Sequence, residues 1–292
     1  MTKLSLKKNG FAIIDKEPGW TSHDVVAKAR KILDTRKVGH SGTLDPPATG
    51  ILILGVGKAT RLLRFITDLR KEYVATMVIG SETDTLDADG EITETTEAFP
   101  SLLQLQESAL AFIGDIQQVP PMVSAIKIKG KRLYELAREG KEIHRDPRNV
   151  TIHNIEINQL SENNVYQIKV SCGSGTYIRS LVSDIAKKSG SLAHVGSLRR
   201  TAIGSFGESL ANPIGGVQVI SMSEGLRDYD KVEVSDDVGA RIKVGSVMGA
   251  EQLGIYSGRG PWAIVNGNGQ LLAVYEKYNH DTVKPAVVIS QE

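Results

Sequence analysis

Cysteine is almost absent from this sequence: Cys172 is the only one in 292 residues. One thiol allows neither an internal disulfide framework nor a multi-cysteine zinc site. Histidine does not make up the deficit. The six histidines, at 23, 40, 144, 153, 194 and 280, contain no i, i+4 pair and have no cysteine partner, so no metal centre is expected. Long apolar runs are missing as well, and none approaches the roughly 20 residues that a membrane span requires. The N-terminal stretch MTKLSLKKNGFAIIDK holds only about five apolar residues together, short of the roughly 7–15 of a signal-peptide core, and the expected compartment is the cytoplasm. Two catalytic signatures also fail. Leu52 stands where a phosphate loop needs its first glycine, and Ala59 replaces its hydroxyl residue. No G-x-S-x-G turn is present for a serine hydrolase, and the Gly-Ser-Gly before Thr176 does not supply one.

What is present is charge, unevenly spread. The net value is +1, yet ten Lys/Arg stand against three acids between Lys28 and Lys71, and eight against four between Lys127 and Arg148. From Glu82 to Glu97 there are seven acids and no base. Local basic fields attract polyanions even when the total is near neutral, although solvated helix faces would give the same counts.

GFAIIDK, ILILGV, EYVATMVIG, NVTIHNIEI and VYQIKVSC read as strands. Helical spacing follows Thr21/Ser22 through Val25, Val26, Ala29, Ile32 and Leu33. It recurs at Ala59, Leu62, Leu63 and Ile66, near 101–113, and after the glycine turn of GSGTYIRSLVSDIAKKSG, with Leu181, Val182 and Ile185 as the buried stripe. QVPPMVSAIKIKGKRLYELAREG reads as a loop, a strand and a short basic helix. After a helix-like SMSEGLRDY, WAIVNGNGQLLAVYE reads as a hairpin turning near Asn268-Gly269, with VKPAVVI as one more strand. Strands and helices mix without strict βαβ alternation, which predicts an α+β fold with a mixed, largely antiparallel sheet and flanking helices. A large domain over 1–228 and a small β-rich one over 229–292 are expected.

The segment GHSGTLDPPATG, residues 39–50, surrounds Asp45 with three glycines and two prolines. Pro46 holds Asp45 out of the α region, so its carboxylate is presented on a shaped loop. A turn-forming aspartate would look the same. Arg179 follows a glycine turn at the start of a helix, where its guanidinium can pair with a carboxylate from another loop and fix its direction; a surface ion pair is the alternative. An oriented carboxylate suits a nucleophile or general base. The residues alone therefore lead to an α+β protein that acts on a polyanion through one carboxylate.

Taken together, the segments resemble the bacterial tRNA pseudouridine synthases of the TruB type over nearly the whole chain. GHSGTLDPPATGILILGVGKATRL is similar to the block that carries that family's catalytic aspartate. KEYVATMVIGSETDTLDADG resembles the next block, QVPPMVSAIKIKGKRLYELAREG the RNA-gripping loop, VSCGSGTYIRSLVSDIA the arginine block, and LAHVGSLRR a further one. The resemblance implies the pseudouridine synthase fold with a PUA-like RNA-binding domain at 229–292. It implies a reaction too: a uridine at position 55, in the T loop of tRNA, is flipped out, its glycosidic bond is broken, and the uracil is rejoined through C5. Flipping costs a few kcal/mol, which a shaped pocket must offset. No metal, cofactor, energy source or guide RNA is implied, and a monomer is expected to bind the tRNA T arm.

By position, the resemblance makes Asp45 the catalytic aspartate, Arg179 its ionic partner and Asp87 a second carboxylate on that arginine. Tyr73 would stack on the uracil, and His40 would contact the target nucleotide. Tyr177 and Leu198 would shape the pocket, while Lys127, with Lys129, Lys131 and Arg132, would hold phosphates. Two departures stand out. Val123 occupies the place where the family usually has tyrosine, and Glu17 separates Lys16 from Pro18 where the family usually reads D-K-P. A tRNA-binding chaperone without chemistry and a guide-dependent synthase remain as alternative readings.

Overall fold

The computed structural model describes residues 9–124 and 143–289, together with the main chain at 127–128 and 131–132. β1 (Gly10–Lys16) leads to α1 (Ser22–Ile32), whose Thr21 cap and Asp24 complete a capping box. This satisfies two of the helix's orphan donors, and Val25, Val26 and Ala29 are buried as the spacing predicts. β2 (Val38–His40) and β3 (Thr49–Val56) bracket the Asp45 loop. The helix expected around 59–66 is divided into a 3-10 turn over 57–62 and α2 (Leu63–Asp68). β4 (Lys71–Ile79) follows, and the acidic segment forms a hairpin of β5 (Ser81–Thr83) and β6 (Ile92–Thr95). Then come α3 (Leu102–Leu110) and β7 (Gly114–Gln118).

In the basic segment, β8 (Lys127–Ile128) pairs with β9 (Lys131–Arg132). The short basic helix expected there lies outside the described residues. β10 (Arg148–Gln159) and β11 (Val165–Cys172) form a hairpin that leads to α4 (Ile178–Lys188), β12 (Ala193–Ile203) and β13 (Phe206–Gly207). The helix-like 221–229 reduces to α5 (Met222–Gly225). The C-terminal part adds β14 (Lys231–Val234), α6 (Asp236–Lys243), β15 (Met248–Gly249), β16 (Trp262–Asn266), β17 (Leu271–Lys277) and β18 (Thr282–Val288).

The large sheet runs β1-β3-β12-β4-β11-β10-β7, with β2 and β13 at its side. Every pair is antiparallel except β3 with β12. β12 lies between β3 and β4, yet its sequence AHVGSLRRTAI shows no clean period-two alternation. Its polar residues line the site instead, and its register slips twice against β4. One face of the sheet packs Ile168, Val170 and Cys172 against Leu181, Val182 and Ile185 of α4.

The C-terminal strands form a second sheet, β14-β16-β17-β18-β15, with the hairpin turn at Asn268-Gly269 where the sequence marks it. A single apolar cluster joins the two sheets. Phe11, Ile51, Ile53 and Phe65 from one side meet Val265, Leu271, Val274 and Val287 from the other.

Candidate active site

The Asp45 loop is held from all sides by groups outside it. Lys16, 1% exposed, donates its ammonium to the carbonyls of Glu17, Trp20 and Pro46, the last at 3.1 Å. Burial lowers its pKa to about 8. Ser22 exchanges hydrogen bonds with Leu44, accepting from its N–H at 2.9 Å and donating to its carbonyl at 3.2 Å. Thr67 donates to the Ser41 carbonyl at 2.8 Å, and Arg200 to the carbonyls of Gly42 at 3.2 Å and Ile51 at 2.7 Å. A loop rich in glycine and proline cannot cap itself through secondary structure, so buried side chains satisfy its carbonyls.

Arg179 sits in the first turn of α4, 4% exposed. Its guanidinium reaches Asp45 Oδ2 at 2.8 Å and Asp87 Oδ2 at 3.3 Å. The same group donates to the carbonyls of Thr85 at 2.6 Å and Val123 at 2.8 Å. The alternative of a surface ion pair is thereby excluded, because the cation is buried and its geometry is fixed by four acceptors. Asp87 is fixed in turn, accepting from the Thr85 hydroxyl at 2.6 Å and the Asp89 N–H at 3.2 Å. Asp45 is the exposed member of the three, with 36% of its side chain open.

Asp45, Arg179 and Leu198 form the wall shared by two cavities of about 100 and 260 Å³. Asp87 lines the smaller one; Tyr73 and Tyr177 line the larger. Tyr73 stands on β4 opposite Arg200 of β12, and burial raises the pKa of its hydroxyl. Tyr177 caps α4 with its main chain clasped by Gln118, whose amide accepts from the Tyr177 N–H at 2.8 Å and donates to its carbonyl at 3.0 Å. Tyr73 and Leu198 offer apolar surface, and Asp45 a carboxylate, to whatever occupies the larger cavity.

His40 is not part of either cavity's lining. It packs edge-on against His23 with centroids 5.4 Å apart and accepts through Nδ1 from the Gly42 N–H at 3.3 Å. Burial first, then the neighbouring His23 and Arg200, lower its pKa. The Lys127 main chain lies in β8, and its side chain, like all of Lys129, falls outside the described residues. Among the described residues no group of three or more His, Cys, Asp or Glu side chains converges as a metal ion would need. No helix among them is long and apolar enough to cross a membrane.

The residues that sequence reasoning did not assign are Arg200, Lys71, Gln118 and Ser41. Their only signal is polarity at positions that the tertiary fold buries.

Comparison with known proteins identifies the family. A family model described as TruB family pseudouridylate synthase (N terminal domain) matches residues 30–178. The tRNA pseudouridine synthase B of Oceanobacillus iheyensis is 37% identical, over 97% of this chain and 98% of its own. That of Alkaliphilus oremlandii is 46% identical, over 75% and 73%. Among solved structures, the crystal structure of a Cbf5-Nop10-Gar1 complex superposes with a TM-score of 0.74 at 26% identity, covering 96% of this chain and 85% of that one. An H/ACA RNP bound to a substrate RNA shares the fold, with a TM-score of 0.72 at 23% identity. With its sheet, its buried Arg179 and these relatives taken together, the chain belongs to the TruB family of pseudouridylate synthases.

Proposed function

We propose that the chain isomerises the uridine at position 55 in the T loop of tRNA to pseudouridine, with Asp45 as the catalytic carboxylate. The observation that carries this reading is the buried Arg179, which holds Asp45 at 2.8 Å on the wall of a cavity of about 260 Å³. A flipped base entering there meets Tyr73 as a stacking face and Leu198 and Tyr177 as walls, which offsets the cost of unstacking. Asp87 keeps Arg179 in place from the far side. His40, one loop turn away, contacts the displaced nucleotide, and Lys127 with its basic neighbours holds phosphates. Residues 1–228 form the catalytic domain and 229–292 a PUA-like RNA-binding domain. The names of the curated relatives support tRNA as substrate.

The enzyme works as a cytoplasmic monomer on the T arm alone, without guide RNA, metal or cofactor. Tritium release from a tRNA transcript labelled at uracil C5 tests the reading. The wild-type chain releases tritium in metal-free buffer, whereas Asp45→Asn binds the transcript and releases none. Parallel loss of binding in Asp45→Asn makes the carboxylate structural and removes its assigned role.

A further inference from the structure

The larger cavity has a second polar wall for which the reading above has no task. Lys71 opens β4 and Arg200 lies on β12; both line the cavity, and they are 5% and 2% exposed. A buried cation is costly unless an anion faces it. Among the described residues neither forms an ion pair with a carboxylate. Arg200 donates to main-chain carbonyls of the Asp45 loop and β3, and Lys71 to the carbonyl of Thr67. Cys172, the cross-strand neighbour of Lys71, offers no counter-charge, because burial pushes its thiol up to about 11.

The Lys71 ammonium is lowered to about 8 by burial, so it keeps its proton on most molecules at neutral pH. It has N–H groups left over after Thr67. The Ser41 hydroxyl lines the same cavity, 1% exposed and without a hydrogen-bond partner among the described residues; Thr67 bridges the two, donating to the Ser41 carbonyl and accepting from Lys71. Leaving such a group unsatisfied costs its full desolvation penalty. Asp68 is the one carboxylate whose field favours the Lys71 charge, and it forms no ion pair with it; an ammonium so placed, on one cavity wall with an idle hydroxyl, suits a negatively charged oxygen.

We propose that Lys71 and the Ser41 hydroxyl receive the negative charge that builds on the uracil oxygens as the base leaves the ribose, an inference that rests on the isomerase reading. When the C1′–N1 bond breaks, its electron pair stays with N1 and spreads to O2 and O4. Asp45 balances the electron-poor ribose. After the ring turns, the delocalised pair forms the C1′–C5 bond. C5 then releases its proton and N1 takes one up, so the composition is unchanged. Charge on the uracil is absent from bound uridine, and groups that meet it accelerate the step without tightening binding. Arg200 acts as a positioning residue, committed to the loop carbonyls.

Single-turnover rates and tRNA affinities of Lys71→Met and Ser41→Ala, measured with uridine and with 5-fluorouridine at the target, test this. Fluorine acidifies the uracil, so the leaving base needs less help. Lys71→Met is expected to slow the uridine reaction by on the order of 100-fold, as for removal of one donor to a developing oxyanion. Its affinity stays within about threefold of wild type, since the contact is made only as charge develops. The rate defect shrinks on the fluorinated substrate, followed as loss of the parent nucleoside. Ser41→Ala gives a smaller defect of the same pattern, and it folds, because none of the described residues uses that hydroxyl; if Lys71→Met proves unfolded by its urea midpoint, Ser41→Ala decides. Equal defects on both substrates overturn the proposal. So does an affinity loss with an unchanged saturating rate, which assigns the charge to a phosphate oxygen of the target nucleotide. A wild-type chain that leaves tRNA uridine unchanged overturns the isomerase reading itself, and this inference with it.

Discussion

Arg179 shows what one residue does when four acceptors converge on it. Its fork spans two carboxylates and two carbonyls, a geometry that lysine cannot copy because an ammonium is a point charge. Arg179→Lys is therefore expected to keep the fold while lowering the isomerisation rate by about 100-fold, the scale set by a misplaced reacting group; single-turnover kinetics with unchanged tRNA affinity check it. Arg179→Met leaves two carboxylates without their buried partner and costs about 3–5 kcal/mol of stability, read from the urea midpoint. His40 gives a pH prediction. Its pKa is lowered in the folded chain, so the unfolded chain takes up the proton first as pH falls below the usual histidine range. Stability present at neutral pH is lost on the acid side. His40→Asn keeps an acceptor for the Gly42 N–H, and the slope of stability between pH 7 and 5 is expected to flatten. A slope identical to wild type assigns the acid sensitivity to other groups.

At this scale Asp45 and Arg179 stood out from loop and helix-start chemistry, whereas Asp87, Tyr73, Tyr177 and Leu198 were marked only by contiguous blocks that resemble a family. Lys71 and Ser41 stand inside or beside the same blocks and carried no signal. A lysine opening a strand and a serine in a glycine loop are ordinary surface residues until β11, β12 and α2 close over them.

Among the elements, the strands with clean apolar patterns were read correctly: β1 matches its expected span, and the β16–β17 hairpin turns at Asn268-Gly269. β12 escaped because its alternation is broken by Gly196, Ser197 and Arg200, which line the two cavities, and by Arg199, which pairs with Asp15 and Glu208. The junction between β12 and β3 is correspondingly delicate. Gly50 has φ +99°, and a Cβ built there would lie 2.2 Å from the Arg200 carbonyl oxygen. Gly50→Ala both strains the backbone and forces the parallel pair apart. It is expected to destabilise the chain by about 2–4 kcal/mol from the steric and backbone terms together, and to withdraw Arg200 from Gly42. Denaturation then shows the loss, and activity at low temperature shows whether the site goes with it. Wild-type stability in Gly50→Ala contradicts the close approach.

Across the whole molecule, the apolar cluster between the sheets decides how the two parts behave. Arg61 donates to the Val288 carbonyl at 2.9 Å and Tyr229 to the Phe65 carbonyl at 2.7 Å, on either side of that shared core. Calorimetry is expected to show one transition, with equal calorimetric and van't Hoff enthalpies. A chain ending at residue 228 uncovers Ile51, Ile53 and Phe65, and is expected to unfold at a lower temperature and to aggregate. Two separate transitions in the intact chain mark the parts as independent.

The contact from Arg179 to position 123 bears on how this site tolerates change over generations. The arginine grips the carbonyl there, an atom that every amino acid brings with it. Mutational drift can exchange tyrosine for valine at that position without the carboxylate network registering it. Selection on residue 123 is thus left to whatever its side chain meets, while the bond that steadies Asp45 is inherited with the peptide chain itself.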